Sequence, residues 1–399
     1  MGAIIMKYNI SDTAQNAKAS EVREILKLTQ TPEVISFAGG LPAPDLFPVE
    51  DIKNVTAKVL EEDALVALQY TTTEGNDDLR RAIIDQRLKP FNMEASLENI
   101  MITSGSQQGL ELTSKMFINK GDTVIVENPT YLTAISPFKS YGVNLATVNT
   151  DDDGIIIEDL IETIESNKNV KFIYLIPDFQ NPTGRCMSVE RRKQVVEIAE
   201  KYNIPIVEDS PYGELVLEGE KLPTIKSFDK NGYVIYLGSF SKVFCPGFRI
   251  GWIVADSALV EKYVILKQGV DLQTSTIDQM IVARYMQEYN LDNHIEKIKD
   301  LYRNRRRCML DAMEKYFPEN IKYTKPRGGL FIWVMLPETE DSKEILQRAI
   351  EEKVAFVPGQ PFHAHGEVRN AFRLNYSNMP EDRIEEGIKR LGVILKEIL

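Results

Sequence analysis

Between residues 100 and 254 the chain alternates short apolar runs with longer amphipathic stretches. The apolar runs fall at 100–103, 123–126, 172–176, 204–207, 233–237 and 250–254. Runs this short, flanked by Gly, Pro and Asn, predict buried strands. Between them the spacing becomes helical. A helix is expected after Ser104-Gly-Ser106, running through Leu110 and Met116. Another follows Asn181-Pro-Thr-Gly184 and puts Val195, Val196, Ala199 and Tyr202 on one face. Apolar strands separated by helices predict an α/β fold with a mostly parallel sheet sandwiched by helices.

Beyond about residue 280 the pattern changes. Long charged amphipathic helices are expected at 290–316, 342–353 and 381–399, around strands at 330–335 and 372–375. This predicts a smaller α+β domain. At the other end, a short helix is expected at 20–28, with Ser20 as its N-cap and Val22, Ile25 and Leu26 on one face. The run from Phe37 to Pro44, rich in Gly and Pro, must be irregular. The expected division is an arm, 1–42, that packs with the small domain and the site, a large domain, 43–280, and a small domain, 281–399.

Composition narrows the function. The 399 residues leave room for two domains. No apolar run approaches the ~18 residues of a membrane span. Residues 1–6 lack the basic flank and cleavage site of a signal peptide, and Met6 breaks the myristoylation pattern. A net charge of −12 argues against a nucleic-acid surface. Cys186, Cys245 and Cys308 are odd in number and form no CxxC pair, which points to a reducing cytoplasm without disulfide or zinc framework.

In open α/β sheets, ligands bind beyond the carboxyl ends of the strands, and four polar clusters fall there. Thr103-Ser-Gly-Ser-Gln-Gln-Gly109 offers a turn and a helix start, where Ser106, Gln107 and free amides suit a phosphate. Asn181-Pro-Thr-Gly184 and Glu208-Asp-Ser-Pro-Tyr212 follow two more strands. The fourth cluster runs from Gly238 to Gly251 and contains Lys242 among Phe240, Val243 and Phe244. Desolvation there lowers the lysine pKa and makes its amine a better nucleophile. Singly, each cluster reads as an ordinary cap, turn or surface charge. Together they supply a lysine, a phosphate cradle, an arginine and a carboxylate, the parts that pyridoxal phosphate (PLP) requires.

The run from Ser239 to Trp252 resembles the cofactor-lysine motif of fold-type-I aminotransferases. Asn181-Pro-Thr-Gly184, Asp209-Ser-Pro-Tyr212 and Phe372-Arg-Leu-Asn-Tyr376 fall in that family's order, and the resemblance covers the whole chain. Three further runs, 37–48, 68–75 and 104–109, resemble its 2-aminoadipate, kynurenine and aromatic aminotransferase branch. The resemblance implies a large PLP-binding domain and transfer of an amino group, by a ping-pong mechanism, from an α-amino acid (2-aminoadipate, aromatic or large aliphatic) to 2-oxoglutarate.

It also implies roles. Lys242 is the Schiff-base lysine and proton carrier, Asp209 pairs with the pyridinium nitrogen, and Tyr131 stacks on the ring. Asn181 and Tyr212 hydrogen-bond the phenolic oxygen. Ser106, Gln107, Ser239, Ser241 and Arg249 hold the phosphate. Arg373 grips the substrate α-carboxylate, with Gly40 and Arg23 lining the side-chain pocket. Tyr70 reaches the phosphate of a neighbouring subunit, which implies a homodimer with its site at the interface.

Other classes fare worse. Ser239-Phe-Ser-Lys242 matches S-x-x-K, but the S-D-N and K-T-G companions do not occur. His294, His363 and His365, all late in the chain, do not suit a serine triad, and His363-Ala-His365 has no evident third metal ligand. Arg303-Asn-Arg-Arg-Arg307 lies on an acidic helix and reads as a solvated face. Two alternatives stay open: another PLP reaction on the same fold, such as a β-lyase or decarboxylase, and a PLP-sensing regulator. The regulator would need a DNA-binding domain of roughly sixty residues ahead of Phe37, where about thirty-five stand.

Overall fold

The computed structural model describes residues 8–16, 25 and 31–399. The helix expected at 20–28, and Arg23 with it, lies outside the described residues apart from Ile25, which is helical and buried. In chain order the strands are β1 (Ile35–Ser36), β2 (Ile100–Thr103), β3 (Thr123–Asn128), β4 (Asn144–Asp151), β5 (Gly154–Ile155), β6 (Val170–Leu175) and β7 (Ile206–Asp209). They continue as β8 (Val234–Ser239), β9 (Gly251–Val254), β10 (Lys322–Tyr323), β11 (Phe331–Met335), β12 (Val354–Ala355), β13 (Val357–Pro358) and β14 (Ala371–Asn375).

Eight of them form the large sheet in the order β2-β9-β8-β7-β6-β3-β4-β5. The pairs from β8 through β7, β6 and β3 to β4 are parallel, while β9 is antiparallel to both its neighbours. Alternate side chains serve opposite faces, as strand geometry requires. Val124, Val126, Phe172 and Tyr174 join one core with the helices Ser106–Phe117, Leu132–Ser140 and Ser257–Gln268. Ile125, Ile173 and Leu175 join the other, under Ile157–Ser166 and Val189–Tyr202. Burial on both faces explains the unbroken apolar runs.

Some elements depart from the sequence pattern. The strand expected at 204–207 begins at Ile206, because Pro205 has no N–H for the ladder. β4 gives no apolar run, since most of its residues are partly exposed. The helices Val49–Glu62, Ser257–Gln268 and Thr276–Glu288 are likewise unannounced by the strand pattern. The late helices occupy Leu291–Tyr316, capped by Asn290, Ser342–Glu351 and Glu381–Ile398.

A second sheet, β10-β11-β14-β13, is antiparallel throughout. β1 pairs in parallel with β12, which ties residues 35–36 to this side of the molecule. Phe37 extends the link: its N–H donates to the Ala355 carbonyl and its carbonyl accepts from the Asn375 N–H. Its ring lies so close to Gly387 of the last helix that a Cβ there would meet it at 2.6 Å. The strands β2, β3, β6, β7 and β8 all deliver their carboxyl ends to one edge, and β14 faces that edge from the smaller sheet. Among the described residues, no helix is long and apolar enough to cross a membrane.

Candidate active site

The turn after β8 carries Lys242 into this edge. β8 and β9 approach so closely that a Cβ on Gly238 would sit 2.2 Å from the Trp252 indole. Phe240, Val243 and Phe244 are buried around the turn. The Lys242 Nζ donates to the Gly40 carbonyl at 2.7 Å. Burial, aided by the charges of Arg373 and Arg249, pulls its pKa down to about 8.

Asp209, the last residue of β7, is buried. Its Oδ2 accepts from the Tyr174 hydroxyl at 2.8 Å, while its Oδ1 has no partner among the described residues. Burial raises its pKa to about 6, against the pull of the Tyr174 bond. An unpaired buried carboxylate oxygen costs stability unless something donates to it.

Arg373 enters from β14 on the smaller sheet and is 4% exposed. Its Nη1 donates to Asn181 Oδ1 and its Nη2 to the Ala38 carbonyl, both at 2.7 Å, while Nε has no partner among the described residues. The guanidinium lies 4.2 Å from the Phe331 ring centroid and 5.0 Å from that of Phe362. Burial lowers its pKa to about 10. An arginine held by neutral oxygens between two rings is set to receive a planar anion.

The anion cradle lies at the β2 end. Gly105 has φ +78°, and a Cβ on it would lie 2.3 Å from Arg249 Nη2. The amides of Ser106 and Gln107 open the helix Ser106–Phe117, where first-turn N–H groups have no helical acceptor. From across the edge, the Ser239 hydroxyl bonds Ser241 Oγ at 3.0 Å. Arg249 Nη1 reaches Ser241 Oγ at 3.5 Å and its Nη2 the Ser104 carbonyl at 3.4 Å.

Two tyrosines complete the edge. Tyr212 is buried and meets Phe331 edge-on at 5.8 Å. Tyr131 is half-buried and feels the charges of Asp209, Arg373 and Arg249, which places it among them. Burial raises both phenol pKa values. The structure therefore gathers Lys242, Asp209, Asn181, Tyr131, Tyr212, Arg249, Arg373, Ser106, Gln107, Ser239, Ser241 and Gly40.

Tyr70 is not among them: it is 78% exposed. Its flanks are pinned, with the Thr71 N–H donating to Gln273 Oε1 and Thr276 Oγ1 to the Gln69 carbonyl. Arg23 lies outside the described residues. Sequence reasoning missed Tyr174, Phe331, Phe362 and the carbonyls of Ala38 and Gly40. Only Tyr174 leaves a trace in the sequence, as the one hydroxyl in an apolar strand that must find a buried partner.

These groups fit PLP. Asp209 Oδ1 awaits a donor, the cradle at Gly105 is kept open by the missing Cβ, and Lys242 has no carboxylate to hold it among the described residues. The sequence profile of the family Aminotransferase class I and II matches residues 33–391. The chain is 48% identical over 395 residues to the aromatic-amino-acid aminotransferase 1 of Thermococcus litoralis, covering 98% of this chain and 94% of that one. It is 40% identical over 390 residues to the 2-aminoadipate transaminase of Thermus thermophilus, covering 97% and 96%. A kynurenine aminotransferase of Pyrococcus horikoshii, solved with PMP, with KYN as substrate and KYA as product, superposes with a TM-score of 0.94 at 46% identity, covering 98% of this chain and 97% of that one. With the family profile matched along this length and such relatives aligned nearly end to end, the chain belongs to the class I and II aminotransferases.

Proposed function

We propose that the protein is a PLP-dependent transaminase that moves the amino group of an α-amino acid to a 2-oxo acid. One observation carries this reading. Two cations, the half-buried Lys242 and the buried Arg373, share an edge with the half-satisfied carboxylate of Asp209, and all three lack an ionic partner among the described residues. When bound, PLP supplies an electron sink conjugated to the substrate Cα.

The residues divide the remaining work. Lys242 Nζ would hold the cofactor and, as a free amine, would take and return the proton of the substrate Cα. A pKa near 8 suits that transfer, because an amine at its ordinary value would stay protonated. Asp209 Oδ1 accepts from the pyridine nitrogen and keeps its proton in place. Asn181 and Tyr212 donate to the phenolic oxygen, and Tyr131 stacks on the ring. Ser106, Gln107, Ser239, Ser241 and Arg249 hold the phosphate. Arg373 gives up neutral oxygens for the substrate α-carboxylate, with Gly40 and Arg23 toward the side chain.

The names of the relatives support 2-aminoadipate and aromatic amino acids as donors; large aliphatic ones rank next in this reading, and 2-oxoglutarate is its acceptor. Exposed Leu65, Val66, Leu68 and Tyr70, with Ile265, Val270 and Leu272, support a homodimer in which Tyr70 reaches the partner's phosphate. The β1–β12 pairing supports an arm, 1–42, packed with a small domain, 281–399, beside a large domain, 43–280. The free cysteines Cys186, Cys245 and Cys308 are compatible with a reducing cytoplasm, where amino and oxo acids would be its small-molecule partners.

The test is the visible spectrum of the purified protein, titrated with single amino acids. A PLP chromophore bleached by 2-aminoadipate or an aromatic amino acid, and restored by 2-oxoglutarate, is expected. A protein with no chromophore after PLP is added would overturn the reading.

A further inference from the structure

Beneath the anion cradle lies an ion pair, its lysine fully buried and its aspartate 27% exposed, that the reaction itself does not use. Lys267 closes the helix Ser257–Gln268 and is 0% exposed. Its Nζ donates to both carboxylate oxygens of Asp271, at 2.6 and 2.8 Å, and to Gln108 Oε1 at 2.9 Å. Gln108 returns the contact, its Nε2 donating to Asp271 Oδ2 at 2.6 Å. Ser104 joins twice: its N–H donates to Gln108 Oε1 at 2.8 Å and its hydroxyl to Asp271 Oδ2 at 3.2 Å. A third contact links the Ser104 hydroxyl with Thr274 Oγ1 at 3.3 Å.

Burying Lys267 completely, and Asp271 in part, costs desolvation that an apolar pair would avoid, so packing alone does not account for them. What the arrangement supplies is orientation. Gln108 Oε1 accepts from both Lys267 and the Ser104 N–H. Turning the amide over would set its NH₂ against an ammonium and an N–H. The ion pair thus locks Gln108, and Gln108 locks Ser104. Ser104 immediately precedes Gly105, whose φ of +78° turns the amides of Ser106 and Gln107 outward. The Ser104 carbonyl also accepts from Arg249 Nη2. Both halves of the cradle, amides and arginine, are therefore referred to one residue that the network holds by its N–H and its hydroxyl.

We infer that Lys267, Asp271 and Gln108 are positioning residues for the cofactor phosphate, acting through Ser104. The inference rests on the PLP reading above. The phosphate-specific part of cofactor binding isolates it, because pyridoxal presents the same ring and aldehyde without the phosphate. The full-length protein, stripped of cofactor, is titrated with PLP and separately with pyridoxal, followed by absorbance. In Gln108→Met, which keeps the Lys267–Asp271 pair, the Kd for PLP should rise about tenfold, the loss of one charge-assisted hydrogen bond's worth of aim, while that for pyridoxal stays within about twofold. Ser104→Ala, a truncation too mild to unfold the protein, should show the same selectivity at about threefold.

Equal weakening of both ligands, or no change in either variant, would overturn the inference while leaving the cofactor assignment standing. A wild-type protein that binds PLP no better than pyridoxal would overturn both.

Discussion

Arg192 and Arg373 are both buried arginines on the same molecule, and they are treated in opposite ways. Arg192 is 0% exposed, and every one of its nitrogens has an acceptor: the carbonyls of Met187, Pro223 and Pro177 and the carboxylate of Asp178. Its charge is answered, and its pKa is raised by Asp178 in spite of burial. Among the described residues, Arg373 meets two neutral oxygens and two rings, and its pKa falls. Glu208 and Asp209, adjacent on β7, differ in partners, although burial raises the pKa of both, to about 7 and about 6. Glu208 caps the amides of Ile225 and Lys226, while Asp209 keeps one oxygen bare. Lys267 is clamped by Asp271, while Lys242 holds a single carbonyl. Buried charges that build the fold are neutralised from within. Those that await ligands are left short, at a cost in stability that ligand binding returns.

The sharpest way to break this contrast is at Lys242. Lys242→Ala should lower turnover by about 10⁴-fold or more, since it removes the proton carrier. Single-turnover bleaching of the chromophore by amino acid would measure it, and a variant with near-normal turnover would place the lysine with the structural charges.

The arginines separate stability from binding. Arg192→Ala should cost about 3–5 kcal/mol of unfolding free energy, because it leaves Asp178 buried without a counter-charge. Arg373→Ala removes a charge that is short of partners, so its unfolding midpoint should hold or rise. Its kcat/KM for amino acids should fall roughly 100-fold, as expected for losing a bidentate carboxylate contact. Urea titration with steady-state kinetics reads both. A destabilised Arg373→Ala variant with unchanged KM would erase the distinction.

The pattern of the large sheet was legible because both faces of its strands are covered, which leaves apolar runs such as those of β3, β6 and β8. β4 was not, because a partly exposed strand shows no such run. The candidate site residues were legible through position after a strand or, for Arg373, through family resemblance: Lys242, Asp209, Asn181, Tyr212 and Arg373 lie at one edge of the sheet. What the sequence hides is what each of them touches. No local signal says that Arg373 lies between Phe331 and Phe362, or that carbonyls at residues 38 and 40, some two hundred or more positions away, receive Arg373 and Lys242. Such contacts depend on how two sheets face each other, and only the folded chain brings them together.

The carboxylates on β7 offer a pH test of the cofactor-free protein. The Asp209 carboxyl keeps its proton up to about pH 6 when folded, against an ordinary value of 3.8. Between those values the folded state binds the extra proton. Stability is therefore fully present below the lower value and declines as pH rises through the upper one. The decline should be on the order of 3 kcal/mol. Asp209→Asn should lack this share of the decline, while Glu208 and Glu127, whose pKa values burial lifts to about 7 and about 8, contribute theirs to both proteins. Urea unfolding of both proteins from pH 4 to 7 measures the difference, and parallel curves would mean that Asp209 is as well answered as its structural neighbours.

The smallest effect belongs to Tyr174, the one protein group that satisfies Asp209 in part. Its hydroxyl donates to Oδ2 and so favours the carboxylate, opposing burial. Tyr174→Phe keeps the ring packed against Phe138 and removes only that donor. The carboxyl should then hold its proton to a higher pH, by an amount worth about 1 kcal/mol, the ordinary net value of one buried hydrogen bond. The upper limb of the stability curve would move to higher pH by the same increment, and PLP should bind more weakly at neutral pH, because a neutral acid is a poorer acceptor for the pyridine N–H. If the curve moved the other way, the Tyr174 hydroxyl would be accepting from a protonated Asp209, and the carboxyl would be answered after all.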